Sequence, residues 1–181
     1  MCPDARDCLQ KLVVPAYWQV MDKANLGINY VGEVWEKPRH DVTCQHGWNE
    51  CAANKLLVCA DELSNTAGDT LGFVNCVLSD YQRVSEAGLI QECAKEHNLN
   101  YESLKKCADT DGLELLTSSV DHSVAVGANF SCTILVDGKE WCKRDDYKWS
   151  CDEEHYTVSS LVKKIKELAV ERHYGEDTDE L

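Results

Sequence analysis

Cysteine constrains this chain more than any other residue: 11 of its 181 residues are cysteines, scattered from Cys2 to Cys151. A reducing cytosol would keep them as thiols, whereas a secreted or lumenal protein would oxidise them to disulfides. So many sulfurs, so evenly spread, predict a crosslinked framework in an oxidising secretory compartment. The chain is also long enough to bury a real core, so its fold need not rest on crosslinks alone. An odd total leaves at least one sulfur without a partner inside the chain. No two cysteines are separated by only two to four residues, the spacing of zinc knuckles, so no metal site is expected.

Charge narrows the function classes further. The formal net charge is −14, which repels phosphate backbones and acidic lipids and argues against nucleic-acid or membrane-surface partners. No run approaches the roughly 18 apolar residues of a membrane span. Phosphate loops, dinucleotide fingerprints and serine triads are absent, so no cofactor is expected. The abrupt Met1-Cys2-Pro3 opening leads us to expect a targeting segment upstream. Thr178-Asp179-Glu180-Leu181 resembles a lumenal retention signal, and residues 176–181 read as an acidic tail. Asn129-Phe130-Ser131 is a glycosylation sequon, in keeping with a lumenal glycoprotein.

Hydrophobic spacing places the elements. Pro3 suits the first turn of a helix, and Leu9, Leu12, Val13, Tyr17, Val20 and Met21 continue it to Lys23, with a kink at Pro15. Leu26 to Val34 reads as a strand that Pro38 ends. A helical block follows: Gln45–Leu63, Asp69–Tyr81, Glu86–His97, Tyr101–Cys107 and a helix from Leu113. Ser131–Val136 and Glu140–Lys143 form a hairpin around Asp137-Gly138. Thr157–Arg172 is an amphipathic helix. The fold class is α/β of α+β type, leaning helical, with residues 1–43 and 127–175 as core and 44–126 as a cysteine-rich helical insertion.

The sharpest local pattern is Cys44-Gln45-His46-Gly47-x-x-Glu50-Cys51-x-x-Asn54-x-x-x-x-Cys59. On a continuous helix Cys44 and Cys51 would stand about 10 Å apart, too far to bridge, so all three cysteines would pair elsewhere. These eight fixed positions resemble the signature of the gamma-interferon-inducible lysosomal thiol reductase family. Cys2-Pro3-Asp4 resembles the start of that family's active site. Leu71 to Cys76, Cys93 and Cys107 resemble its insertion, and the Val136-Asp137-Gly138-Lys139 turn its late hairpin. The resemblance spans most of residues 2–165. It implies a thioredoxin-like fold, here with its first strand missing, and reduction of protein disulfides in acidic endocytic compartments with a small-molecule thiol as reductant.

The departures are informative. The family motif is Cys-x-x-Cys, and this chain reads Cys2-Pro3-Asp4-Ala5. Ala5 cannot resolve a mixed disulfide. Cys8 lies about 9 Å further along the helix and on another face. No proline after Pro38 can supply the cis-proline that faces a thioredoxin-like active site. Cys2 remains the nucleophile candidate, because a helix start attracts a sulfur anion. Cys132 is expected to approach it from the segment Asn129–Cys132, capping it or resolving its adducts. A plain two-residue turn at Asp137-Gly138 puts Thr133 opposite Cys142, with Cys132 and Cys142 on opposite faces, so Cys142 is expected to pair with Cys151. Three readings follow: a reductase working through a single thiol, an inactive lumenal relative that keeps the fold as a binding module, or a secreted interaction protein without redox chemistry.

Overall fold

The structure is a computed structural model that describes residues 2–36, 41–151 and 156–176, with side chains to residue 171. The expected Pro38 strand end, the retention-like tail and any leader lie outside the described residues.

One helical run opens the fold. Helix α1 (Pro3–Cys8) passes through a π-helical turn at Leu9–Val13 into α2 (Val14–Tyr17). Pro15 has no N–H for an ordinary helical bond, and just before it Val14 N–H reaches five residues back to the carbonyl of Leu9. The proline is thus absorbed by a π-turn rather than by a break.

Strands β1 (Gly32–Trp35) and β2 (Asp41–Cys44) pair antiparallel, Gly32 opposite Cys44. The expected strand from Leu26 shrinks to β1, and residues 26–31 run as irregular chain. The helical block then comprises α3 (Trp48–Leu63), α4 (Ala67–Ser79), α5 (Ala87–Glu96), α6 (Tyr101–Thr110) and α7 (Gly112–Ala125). Side chains satisfy two of its helix starts: Thr66 Oγ1 accepts from Asp69 N–H at 3.1 Å and Asn100 Oδ1 from Ser103 N–H at 2.9 Å. Leu57, Phe73, Val77, Ile90 and Leu104 fill its centre. Two disulfides staple it, Cys59–Cys107 between α3 and α6 and Cys76–Cys93 between α4 and α5.

A second sheet follows: β3 (Thr133–Val136), β4 (Lys139–Asp145) and β5 (Lys148–Cys151), in that order and antiparallel. Its Trp141 and Cys142 pack with Leu12 and Ala16 of the first helical run, with Val20 in the turn after it, and with Leu161 and Val162 of α8 (Val158–Glu176). Among the described residues the architecture is therefore mixed, mostly helical, with two small antiparallel sheets.

The structure corrects three sequence expectations. Residues 44–47 are not helical: Cys44 ends β2, and Gly47 at φ 82° turns the chain into α3, which starts at Trp48. That turn brings the Cα atoms of Cys44 and Cys51 to 5.4 Å, and the two are bonded to each other. The late hairpin has the expected turn, with Val136 opposite Lys139, but a bulge at Trp141 puts Ile134, not Thr133, opposite Cys142. The bulge lets Trp141 and Cys142 both face the core, at 3% and 0% exposure. Cys132 then exchanges backbone bonds with Arg144, two residues from Cys142, and so falls on the same face as Cys142. Cys142 is bonded to Cys151, which lies directly opposite it in β5.

Buried charge fastens α1 to this sheet. Arg144 Nε lies 3.0 Å from Asp4 Oδ1, an ion contact rather than an aligned hydrogen bond, and its NH2 donates to Asp7 Oδ2 at 3.0 Å. All three side chains are at most 12% exposed. Asp4 also accepts from Tyr147 N–H at 3.2 Å. Hydrogen bonds from Lys11, then Arg6, outweigh burial and hold the Asp7 carboxyl below its ordinary value.

Arg144→Met would leave the buried Asp4 without its cation, Asp7 keeping Lys11 and Arg6, and should cost about 3 kcal/mol in urea unfolding at neutral pH. Asp7→Asn should cost about 1–2 kcal/mol. Because the folded pKa of Asp7 is depressed, that difference should be constant above about pH 5 and shrink as pH falls below about 4. Paired urea titrations across pH 3–7 check both.

Candidate active site

Cys2 precedes Pro3 with extended geometry, φ −109° and ψ 133°, and its carbonyl accepts the first helical bond, from Arg6 N–H at 3.2 Å. It is therefore the N-cap residue of α1, and Pro3 presets the helical φ that follows. The described residues include all 11 cysteines, and Cys2 is the free one among them. Its thiol is half-buried, and Sγ lies 3.9 Å from the carbonyl oxygen of Ser131. The Ser131–Cys132 peptide is cis.

The disulfide expected as a cap on Cys2 is not formed. Cys132 is bonded to Cys8, with Cα atoms 6.3 Å apart and a separation of 124 in sequence. Cys8 sits further along α1, on its buried side, at 0% exposure. The segment before β3 is thus tied to the helix just below Cys2, and the free thiol is left at the surface of that crosslink.

Cys2 opens onto a cavity of about 260 Å³. Ala5, one helical turn on, lines it where the family motif places a second cysteine. Ser131 and Cys132 line it from the sheet side, and Gln45, Glu50 and Asn54 from the signature segment. Leu57, Val74 and Leu78 of α3 and α4 make an apolar wall. Asn129, the sequon residue, adjoins Phe130, which lines the cavity.

Each signature residue has a physical task in building that wall. Cys44 and Cys51 lock β2 to the first turn of α3. Gly47 supplies the positive φ of the turn, a conformation that a side chain would strain. Glu50 Oε2 accepts from the His46 backbone N–H at 2.6 Å, and the His46 ring Nδ1 stands 3.2 Å from the same carboxylate. Burial opposes charge on Glu50, but the hydrogen bond from the His46 N–H leads the contributions that outweigh it, so its carboxyl lies below the ordinary value. Asn54, 4% exposed, donates from Nδ2 to the Cys44 sulfur at 3.8 Å. Cys59 anchors the far end of α3 through Cys107. Gln45 is exposed on the loop and lines the cavity.

Among the described residues, Cys76, Glu96 and His97 bring metal-ligand atoms together, but Cys76 is bonded to Cys93 and offers no thiolate. Sequence reasoning missed the Cys8–Cys132 bond and the Asp4–Arg144–Asp7 cluster. The second had a visible signal, because Arg144 shares the inward parity of Cys142 along β4 while Asp4 and Asp7 are one turn apart on α1. The cysteine positions by themselves could not single out one pairing.

Comparison with known proteins agrees with the signature. The family model described as gamma interferon inducible lysosomal thiol reductase (GILT) matches residues 1–97. GILT-like protein 1 of Drosophila melanogaster is 30% identical over 140 residues, which is 68% of this chain and 56% of that protein. The gamma-interferon-inducible lysosomal thiol reductase-like protein of Anopheles gambiae is 27% identical over 137 residues, 67% of this chain and 56% of that protein. The chain spans about half the length of these curated relatives. With a free thiol at a helix start, and with Gln45, Glu50 and Asn54 of the signature lining the cavity beside it, the chain belongs to the GILT family.

Proposed function

We propose that this protein is a thiol–disulfide oxidoreductase of a secretory or endolysosomal lumen, acting on protein disulfides through one thiol, Cys2, with a small-molecule thiol as reductant. One observation carries the reading. Ten of the 11 cysteines are closed into disulfides, and the free one stands at a helix start on the cavity that the family signature lines. Thiol–disulfide exchange needs an accessible sulfur and room for a partner sulfur beside it, and a half-buried thiol on a cavity of about 260 Å³ supports that reading. The apolar wall of Leu57, Val74 and Leu78 suits the side chains that flank a disulfide in an unfolded polypeptide.

The division into a thioredoxin-like core, residues 1–43 and 127–175, and an insertion, 44–126, belongs to the same proposal. Its support is that the first helical run, the β3–β5 sheet and α8 share one cluster of buried side chains and α3 to α6 another, while β1 and β2 pack against α3 and α7 of the insertion. Residues 176–181 are read as a tail.

A specific observation also favours the inactive alternative, a binding module on the same fold. Ala5 stands on the cavity where a resolving sulfur would be needed. Activity measurements separate the two. Reduction of a peptide disulfide by excess glutathione should be accelerated by the wild-type chain and fall to the uncatalysed rate in Cys2→Ser. Equal rates in both would leave the binding module. Ala5→Cys should restore a Cys-x-x-Cys pair. On mild oxidation the introduced sulfur should bond to Cys2, and turnover at limiting thiol should rise, because a sulfur one helical turn from Cys2 resolves the mixed disulfide in place.

A further inference from the structure

We propose that Cys8 and Cys132 are the electron store of a three-sulfur relay in which Cys2 carries the exchange to the substrate, an inference that rests on Cys2 being the attacking thiol. Three observations point to it. Cys2 Sγ lies 3.9 Å from the carbonyl of Ser131, the peptide group that leads directly into Cys132. Cys2 and Cys132 line the same cavity. Cys8 is wholly buried behind them at 0% exposure, so a sulfur arriving from the cavity meets Cys132 first and displaces Cys8. Ala5 supplies no sulfur, so a resolving group within the chain has to come from elsewhere on the cavity, and Cys132 is on it.

Atoms and electrons balance at each step of the exchange. With Cys8 and Cys132 reduced, the Cys2 thiolate attacks a substrate disulfide. A Cys2–substrate bond forms, the substrate S–S bond breaks, and the first substrate thiolate leaves and takes a proton. The Cys132 thiolate then attacks Sγ of Cys2, forming a Cys2–Cys132 bond and releasing the second substrate thiol. The Cys8 thiolate attacks Sγ of Cys132, closing Cys8–Cys132 and expelling Cys2 as a thiolate. Two electrons have passed from the Cys8/Cys132 pair to the substrate. The product arrangement is the one seen, Cys8 bonded to Cys132 and Cys2 free. Two molecules of a small monothiol reset the pair and leave as their own disulfide.

The test uses the full chain. In Cys8→Ser the last step is blocked, so a peptide map made without reductant should show Cys2 linked to Cys132. Finding both as separate thiols overturns the relay. Because losing a buried crosslink could unfold that variant, a second measurement keeps Cys8 and Cys132 in place. In graded glutathione buffers, opening of Cys8–Cys132 should be about tenfold slower in Cys2→Ser than in wild type, because an intramolecular thiol outpaces a dissolved one. Equal opening rates overturn the relay. If Cys2 then still supports peptide-disulfide reduction, the single-thiol reading stands without the relay; if Cys2 is inert in wild type, both fall.

Discussion

The fold around the site depends on one fastening, that of α1 to the β3–β5 sheet. It is made twice within two helical turns, covalently by Cys8–Cys132 and electrostatically by Arg144 held between Asp4 and Asp7. A buried guanidinium with a single carboxylate would still leave donors unmatched, and a buried carboxylate without a cation would be strongly unfavourable. The cluster therefore demands the register of β4 and the rotation of α1 at once. That rotation sends Cys8 into the interior and leaves Cys2, at the start of the same helix, at the rim beside Ser131.

The family signature does mostly architectural work. Cys44, Gly47, Cys51 and Asn54 turn a strand into a helix within a few residues, and Glu50 with His46 ties the turn shut. The product of that construction is a rigid wall opposite the thiol. Scaffolding is thereby separated from the thiol: the signature builds the wall, while α1 presents Cys2 and, one turn on, Ala5 to the same cavity. The chain keeps the wall and one free thiol, with the Cys8–Cys132 disulfide on the same helix.

Local signals carry far in this sequence. The periodic runs place the helices of residues 67–125 to within a few positions, and Asp137-Gly138 places the hairpin turn, because both depend on neighbours in sequence. What escapes depends on distant partners. Asp146 and Tyr147 adopt positive φ without a glycine, and the turn is held by Asp4 on the other side of the chain. The bulge at Trp141 exists because two consecutive side chains face one core. Cys44 reads as helical until the backbone turn at Gly47 is taken into account. The Cys8–Cys132 pairing is fixed by how α1 docks, which no spacing of cysteines encodes.

The account stands on Cys2 being the one sulfur left outside the crosslinks. The most direct measurement is brief alkylation of the native protein at neutral pH without reductant, followed by peptide mapping. The account predicts one label per chain, on Cys2, with Cys8 recovered joined to Cys132. A chain that takes no label, or takes it on another cysteine with Cys2 in a disulfide, would contradict it.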